Sequence, residues 1–507
     1  MKPRHAILGL TLVALTAGHG GRARAVWLDE VPITATATDS ETGLNHTPLA
    51  YDAEGGLTVV WAERDTPNQN YQIYARRRAW AIFGPPSLVV PYPDPQPGSL
   101  LGAKYPSLAA IGDSLHLAWH DYRHGGIRNS EIYARALALD GGLGGEQRLT
   151  TTLNTENPGD NGYVPTLVIG GDEVVHVVWY DFRWDPNRAD IFHKRRTAAG
   201  WITPLGDSSD VNVSRSIVDG FNSGAPALTA AADGVVHAVW AERGQGIYRI
   251  RHARFDPASG WSAPATAAQP GATAEDPTAA VDPDGTLHAV WVDGRHPAHT
   301  LYARSLPDGG SWGAELRLTP TTVEAGDPSL IATADGALHL VWQDARVSFE
   351  NREIFYRRRP PGGGWDASGA ADVRLSNAND RSDRPSITAD AGLNLAVAWR
   401  DRRSGANDIY LREFRPRGPI AVEEPAPLSA AAPLVRGPNP WQRVLWLSRP
   451  PGEPVGVFDL EGRTVARLSP SASSWDGRDA GGRAVSPGVY FLRGLDSRRV
   501  ARVVRLP

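Results

Sequence analysis

Seven acidic residues occupy the same place in a repeated pattern, and each could supply charge to a binding site. Each acid lies two residues after a tryptophan, and an arginine follows one or two residues later. A ring of such acid–arginine pairs around a channel could bind a glycan or an ion. The alternative is a salt bridge or turn cap that recurs in every repeat, and repetition favours it, because a catalytic centre needs different residues from different repeats. The acids are Glu63, Asp121, Asp181, Glu242, Asp293, Asp344 and Asp401.

Three segments differ between repeats, and such segments often carry function. Residues 120–130 and 180–188 combine aromatic side chains with arginine and aspartate, which suits stacking on sugars or docking a partner. Residues 154–163 are rich in oxygen donors and could hold Ca²⁺, and an ordinary solvated loop is the alternative for all three. The predicted ligand-binding residues are Asp121, Tyr122, Arg123, Asp181, Arg183, Trp184, Asp293, Arg295, Asp344, Arg346, Asp401 and Arg403.

Five histidines lie three residues before a repeated tryptophan: His116, His176, His237, His288 and His339. A zinc site would need several of them within about 2.0–2.1 Å of one ion, and equivalent positions in separate repeats do not meet. We therefore predict buried, hydrogen-bonded histidines, no metal site and no cofactor. The chain has no cysteine, which excludes disulfides, thiolate metal sites and a cysteine nucleophile.

The elements that must position these residues follow from the repeat itself. The tryptophans are spaced by 51 to 61 residues, and each has a proline 13 or 14 residues upstream. Units of this size, repeated seven times, predict an all-β fold, a seven-bladed β-propeller over residues 26–415. The tryptophans are Trp61, Trp119, Trp179, Trp240, Trp291, Trp342 and Trp399.

Each repeat is predicted to form four short strands. In the sixth repeat, Pro328 opens the first strand, a turn at 334–336 leads to a second strand ending at Trp342, and two outer strands follow. The register of the fourth repeat cannot be fixed from its sequence. The seventh repeat lacks an outer strand, and residues 27–34 match the outer strand of the fifth repeat, 312–319. We therefore expect the N-terminal segment to close the ring, which removes an open sheet edge.

The repeat resembles those of sialidase-type propellers with bacterial neuraminidase repeats, through about residues 26–415. Residues 305–312, Ser-Leu-Pro-Asp-Gly-Gly-Ser-Trp, are similar to the Asp-box of that group. The resemblance implies a sialidase site with three arginines, a tyrosine beside a glutamate and an acid–base aspartate. The aromatic-Arg-aliphatic-Pro motif that marks the first arginine is missing near the first repeat; the nearest string is Phe414-Arg-Pro416. We therefore expect non-catalytic binding of a glycan or protein, with a divergent exo-glycosidase of sialidase type or a purely structural component as alternatives.

A second domain is predicted after a linker rich in proline and alanine at 416–433. Residues 434–507 carry short alternating strands and the strings Trp475-Asp-Gly and Gly488-Val-Tyr-Phe. They resemble the Ig-like domain of flagellar hook-capping proteins (FlgD-like) and the sorting domains of type IX secretion cargo. The resemblance implies a small β-sandwich for sorting or surface attachment through an export machinery. We expect Trp475 to fill its core.

The N-terminus predicts export. Lys2 and Arg4 precede a short apolar run, and Ala23-Arg24-Ala25 forms a cleavage site, so residues 1–25 are expected to be a signal peptide. The protein is then secreted or at the outer cell surface, with a glycan or a cell-surface protein as partner and no transmembrane segment in the mature chain. The formal net charge of −4, with acids and bases interspersed, predicts no nucleic-acid partner.

Overall fold

The computed structural model describes the chain from residue 26 to residue 506 with gaps. The described residues are 26–34, 40–41, 48–64, 70–78, 83–91, 102–112, 114–123, 130–150, 162–185, 188–197, 199–202, 210–215, 222–244, 246–268, 273–366, 369–416, 435–436, 441, 444–447, 454–459, 463–494 and 500–506. The predicted signal peptide and linker lie outside them, as does the oxygen-rich segment up to residue 161.

The described secondary structure consists of short antiparallel strands, which confirms the all-β prediction. Two N-terminal strands precede the first sheet: β1 (Val26–Trp27) and β2 (Val31–Pro32). The first sheet contains β3 (Ser40–Glu41), β4 (Leu49–Tyr51), β5 (Leu57–Arg64), β6 (Tyr71–Arg78) and β7 (Ser87–Val90). The second contains β8 (Ala103–Ile111), β9 (Ser114–Asp121), β10 (Glu131–Ala138) and β11 (Gln147–Arg148).

The next three sheets follow in chain order. The third contains β12 (Gly162–Ile169), β13 (Val175–Asp185), β14 (Arg188–Thr197), β15 (Gly200–Trp201) and β16 (Val211–Asn212). The fourth contains β17 (Asn222–Ala230), β18 (Val236–Gly244), β19 (Ile247–Asp256), β20 (Gly260–Trp261) and β21 (Ala265–Ala268). The fifth contains β22 (Ala274–Val281), β23 (Leu287–Asp293), β24 (Thr300–Leu306) and β25 (Leu316–Arg317).

Two further sheets complete residues 26–415, and two smaller sheets follow. The sixth contains β26 (Ala325–Ala332), β27 (Leu338–Asp344), β28 (Glu353–Arg359) and β29 (Val373–Arg374). The seventh contains β30 (Ser382–Ala389), β31 (Leu395–Asp401) and β32 (Asp408–Arg415), joined by β1 and β2. The C-terminal strands are β33 (Val435–Arg436), β34 (Leu445–Leu447), β35 (Val455–Phe458), β36 (Thr464–Leu468), β37 (Ser474–Trp475), β38 (Gly488–Gly494) and β39 (Val500–Arg505).

The innermost long strands of the seven sheets are neighbours in chain order. Strands β4, β8, β12, β17, β22, β26 and β30 each contact the next, and β30 also contacts β4. One segment from each of these strands lines a shared central cavity. Sheets arranged in this way around a channel make a propeller-type fold. A search for a helix that could span a membrane finds none in the described part of the chain.

The repeated tryptophans form the core between sheets. All seven are buried, with at most 1% of their surface exposed. Six stack on an aromatic ring of the third strand, as Trp119 does on Tyr133 with ring centroids 5.7 Å apart. In the fourth sheet Trp240 instead faces Arg251, which gives the register that the sequence left open.

Every inner strand from β8 onward is bulged at its proline. The residue before the proline has a φ of +47° to +51°: Tyr105, Val164, Ala225, Asp276, Asp327 and Arg384. The ladder to the second strand shifts register at the same places. Proline has no N–H to give to the ladder, and a bulge accommodates that loss. Because non-glycine residues with positive φ are strained and often lie at functional sites, we define this ring of six residues as the channel mouth.

Four of the five predicted histidines are buried and hydrogen-bonded, as expected, and His116 is buried. One hydrogen-bond chain fixes its tautomers: the Trp261 indole donates to Nδ1 of His193 at 3.0 Å, so Nε2 of His193 carries the proton and donates to Nδ1 of His176 at 3.0 Å. Trp261 belongs to the fourth sheet and both histidines to the third, so this chain joins two sheets. Burial lowers the pKa of His176 to about 4 and that of His193 well below its usual value.

The C-terminal strands form two sheets, one ordered β33-β34-β37 and the other β36-β35-β38-β39. Trp475 is 1% exposed and packs against Trp441 and Tyr490, with ring centroids 5.2 and 5.4 Å away. Its predicted place in the core of this part of the chain is confirmed.

The N-terminal strands pair with β32, where the sequence comparison places them. Trp27 pairs with Phe414, and its ring lies 4.9 Å from that of Tyr356 in the sixth sheet. A chain beginning at Ser40 would expose the edge of β32 and this part of the core. We expect such a chain to lose cooperative thermal unfolding, measured by tryptophan fluorescence, relative to a chain beginning at Val26. Equal melting curves for the two chains would contradict this expectation.

The buried histidines predict acid sensitivity. Burial lowers the pKa of His237 to about 4 and that of His252 to about 3, from about 6.5. The unfolded chain therefore binds these protons first, so stability is complete above about pH 6.5 and falls as the pH drops towards 4, by about 1.4 kcal/mol per pH unit for each histidine. The urea midpoint should fall less between pH 7.5 and 5 in the variant H237Q/H252Q than in the wild type. H299Q, which changes a more exposed histidine, serves as the control, and equal slopes in all three proteins would refute the prediction.

Candidate functional site

The predicted acid–arginine pairs form one recurrent buried unit. In the sixth sheet, Oδ2 of Asp344 accepts the indole N–H of Trp342 at 2.9 Å and a guanidinium N–H of Arg346 at 2.6 Å. Oδ1 of Asp344 accepts the backbone N–H of Arg346 at 2.8 Å. Units of the same kind occur around Asp121, Asp181, Asp293 and Asp401, and all five aspartates are buried.

Each arginine of these units has further partners. Arg346 also bonds Asp372 at 2.8 Å and lies over the ring of Phe355, so it ties the second strand to the third and the outer part of the sheet. The corresponding second acids for Arg123, Arg183, Arg295 and Arg403 are Glu146, Asp210, Glu315 and Glu30. Burial acts to raise the pKa of Asp401, but the bonds from Arg403 and Trp399 hold it below its ordinary value. Both members of every pair are engaged within the protein, and their use in ligand binding stays a prediction.

The first and fourth repeats depart from this unit. Glu63 accepts the indole N–H of Trp61 at 2.6 Å. Glu242 instead pairs with Arg249 and Arg251 of the third strand, and the indole N–H of Trp240 has no hydrogen-bond partner among the described residues. The fourth sheet thus departs from the other sheets in the buried contacts of its tryptophan and acid, as well as in its sequence.

The remaining predicted residues are Tyr122 and Trp184. Tyr122 lies edge-on to His120, with ring centroids 5.0 Å apart, and it hydrogen-bonds Tyr163. Burial, with the neighbouring tyrosines, raises the pKa of Tyr122 above its ordinary value. Trp184 lies in β13, and its side chain is not among those described.

The positions that vary between repeats lie at the channel mouth. One is the residue between the tryptophan and the acid, whose side chain alternates to the opposite face of the strand. Through the seven sheets it is Ala62, His120, Tyr180, Ala241, Val292, Gln343 and Arg400. The other is the strained residue before each proline. These positions could have been found from the sequence, because the residue type at each of them differs from repeat to repeat while the surrounding pattern stays the same.

The second and third sheets make one side of the mouth aromatic. His120 lies edge-on to the rings of Tyr105 and Tyr163, with centroids 4.8 and 5.6 Å away. Tyr163 stacks on Tyr180 at 5.5 Å, and Phe182 lies edge-on to both. Burial, with the nearby charge of Lys104, lowers the pKa of His120 to about 3, so this ring is neutral.

The sixth and seventh sheets make the other side charged. Arg400 binds both carboxylate oxygens of Asp383, at 2.7 and 2.8 Å, and Arg381 binds Asp383 at 2.6 Å. Oδ2 of Asp327 accepts the backbone N–H of Arg384 at 3.3 Å. Burial, together with the charges of Asp276 and Asp383, raises the pKa of Asp327 to about 6.

A cleft of about 570 Å³ opens at the mouth beside the aromatic side, over the third, fourth and fifth sheets. Its space exists because the fourth sheet has small residues there: Ala225 and Ala241 at the variable positions, and Gly224 beside them. The aromatic wall is made by Tyr180 and Phe182. Charged and polar groups complete the lining, namely Arg243, Tyr248, Thr273, Glu275, Asp276 and His299.

Two charged groups of the cleft have no ion pair within the described part of the chain. Arg243 is exposed, and its guanidinium lies 5.3 Å from the ring centre of Tyr248. Glu275, at the start of the fifth sheet, is also exposed. A cleft with an aromatic wall, a cation and carboxylates can stack on a ring and bond hydroxyl groups. No group of three or more potential metal ligands occurs among the residues that the structure places.

Comparison with known proteins bears on the fold. No protein-family model and no curated protein matches the sequence. An ulvan lyase of polysaccharide lyase family PL25 is similar in structure, with 10% identity, a TM-score of 0.50 and coverage of 76% of this chain and 95% of the lyase. The Hadza microbial sialidase Hz136 has 12% identity, a TM-score of 0.42 and coverage of 77% and 96%. The GH93 α-L-arabinofuranosidase of Fusarium graminearum has 13% identity, a TM-score of 0.40 and coverage of 77% and 98%.

At such low sequence identities, the comparison shows similarity of fold only. Of the three structures, only the lyase, with a TM-score of 0.50, is similar enough to support a statement about the fold. The covered share of about three quarters of this chain agrees in extent with the ring of sheets. The likeness to the lyase therefore agrees with the ring of sheets described above, as a fold.

The recurrent buried unit predicts large effects of single substitutions. Asp344→Asn removes the charge that compensates Arg346 and weakens the bond to Trp342, and breaking a buried pair typically costs about 3 kcal/mol of unfolding free energy. Asp284→Asn changes an exposed turn residue and should cost less than about 0.5 kcal/mol. Urea denaturation of the two variants checks this, and similar small losses in both would show that the unit adds little.

Proposed function

We propose that this protein is a glycan-binding propeller whose ligand occupies the cleft at the channel mouth. The observation that carries the proposal is the break in the repeat. Large side chains surround the mouth in the second and third sheets, whereas the fourth sheet has Gly224, Ala225 and Ala241 and so leaves a cavity beside an aromatic wall. The cleft volume is of the size that small ligands occupy in protein sites.

The chemistry of the lining favours a sugar over an apolar ligand. Tyr180 and Phe182 offer ring faces and edges to the C–H face of a pyranose. Glu275 and Asp276 can accept hydrogen bonds from hydroxyl groups, and Arg243 can donate to oxygen atoms or to an acidic substituent. The ulvan lyase of similar fold is described as bound to the saccharide -[GlcA(1-4)Rha3S]-, and a glycan ligand for this chain is consistent with that.

The architecture around the cleft belongs to the same proposal. Residues 26–415 would form a closed seven-bladed propeller in which the N-terminal segment completes the seventh blade; the pairing of β1 and β2 with β32 supports this. Residues 434–507 would form an Ig-like sandwich, supported by their two sheets and by Trp475 between them. We further propose export through a signal peptide at 1–25, and sorting or surface attachment through the C-terminal domain.

Filling the cleft tests the function directly. A Cβ added at Gly224 meets no atom within 4 Å, so Gly224→Phe should fold while it occupies the cavity. We expect it to abolish binding to a glycan array that carries neutral, uronic and sulfated saccharides. Tyr180→Ala should weaken binding to the best array ligand roughly tenfold, as expected for the loss of about 1.4 kcal/mol.

Gly364→Phe is the matched control, because a Cβ there also meets nothing within 4 Å and the residue lies between β28 and β29, outside the lining of the cleft. It should bind like the wild type. Wild-type protein that melts normally but binds no saccharide on the array would overturn the proposal and favour a purely structural component. Equal binding by G224F and the wild type would move the ligand away from this cleft.

A further inference from the structure

We propose that the mouth also cleaves the glycan it binds, with Asp327 as the proton donor and Asp276 as the base that activates water. This inference rests on the proposed glycan site, since Asp276 lines that cleft. It differs from the arginine-and-tyrosine site that the sialidase resemblance implies, because it uses two aspartates at equivalent positions of neighbouring inner strands.

The fold places the two aspartates at neighbouring positions on the rim of the mouth. Asp276 and Asp327 each precede the proline of an inner strand, with a φ of +47°, and their strands β22 and β26 are neighbours. Both residues are partly exposed at the rim of the mouth, although the carboxyl group of Asp327 itself is largely buried. The backbone N–H of Arg384, from the equivalent position of β30, donates to Oδ2 of Asp327 and orients it.

The surroundings of Asp327 suit a group that gives up a proton near neutral pH. Burial is the main cause of its raised pKa, followed by the charges of Asp276 and Asp383. Arg384 acts in the opposite direction through its charge and its backbone bond. Arg400 and Arg381 form ion pairs with Asp383, so the carboxylate of Asp383 neutralises part of their positive charge. An acid catalyst works best when its pKa lies near the working pH, and about 6 meets that condition.

Gln343 gives an independent indication that a ligand belongs here. It is only 6% exposed, yet its side-chain carbonyl oxygen has no hydrogen-bond partner among the described residues. Its amide lies over Gly326, the residue before Asp327, with Nε2 3.0 Å from where a Cβ would stand. Buried acceptors are almost always satisfied, and a turn of this amide towards the mouth would let its oxygen accept a hydrogen bond from a ligand hydroxyl.

The reaction balances with water as the second reactant. The carboxyl O–H of Asp327 gives its proton to the glycosidic oxygen while the bond from that oxygen to the anomeric carbon breaks. Water adds its oxygen to the anomeric carbon and gives one proton to the carboxylate of Asp276. The products are two free hydroxyl compounds, and the two aspartates exchange protons with solvent to restore the starting state.

The test compares leaving groups. The full chain is assayed with the best array saccharide, by reducing-end release, and with 2,4-dinitrophenyl glycosides of the same sugar, which need no proton on departure. We expect the wild type to cleave both, with saccharide cleavage falling as the pH rises above about 6. Asp327→Asn should lower cleavage of the saccharide at least 100-fold, change that of the dinitrophenyl glycoside far less, and leave array binding in place.

Asp284→Asn, an exposed aspartate of the fifth sheet, is the control and should match the wild type in both assays. If D327N melts below the assay temperature, Asp327→Glu replaces it and should retain activity with a shifted pH limb. Wild-type protein that binds the saccharide without cleaving it overturns this inference and leaves the proposed function standing. Wild-type protein that binds no saccharide on the array overturns the proposed function instead. Equal pH profiles of saccharide cleavage for D327N and the wild type exclude Asp327 as the acid.

Discussion

The bond between a buried tryptophan indole and the carboxylate two residues later organises this protein. The indole N–H needs an acceptor in a dry interior, and a buried aspartate needs several donors. Trp342, Asp344 and Arg346 meet both needs within one strand end, and Asp372 then holds the arginine from the outer part of the sheet. Because the unit closes on itself, it can recur in sheet after sheet without depending on what the neighbouring sheets contain.

That independence leaves other positions available for ligand chemistry. The residue between tryptophan and acid lies on the opposite face, and the residue before the proline lies on a bulge, so neither takes part in the unit. Around the mouth these positions change from aromatic at Tyr180 to small at Ala225 and Ala241 and charged at Asp327. The fourth sheet gives up the regular unit at Trp240, and the same sheet provides the space of the cleft.

The sequence predicted most of the scaffold because its determinants are local and repeated. Tryptophan spacing located the second strands, and the histidine position indicated buried, hydrogen-bonded side chains. Residues 27–34 matched the outer strand of another repeat, and the structure pairs this segment with β32. The proposed site was harder to foresee, because it depends on which side chains from different sheets converge. The ligand-binding prediction emphasised pairs such as Asp121 with Arg123, whereas Asp276 and Asp327 became visible only once the bulges placed them at one rim. The fourth repeat showed no register in its sequence, since Arg251 stands where the other repeats have an aromatic ring.

The pairing of β1 and β2 with β32 also affects the order in which the sheets can be completed during synthesis. Thr34 bonds Asp408 across 374 positions, at 2.9 Å. Residues 26–34 are thus synthesised long before β32 and acquire these neighbours only when β32 has been made. Contacts between residues so far apart in sequence slow folding. Six sheets can form while the seventh still has an unpaired strand edge. Until that strand arrives, the nascent protein has an open sheet edge, which favours aggregation.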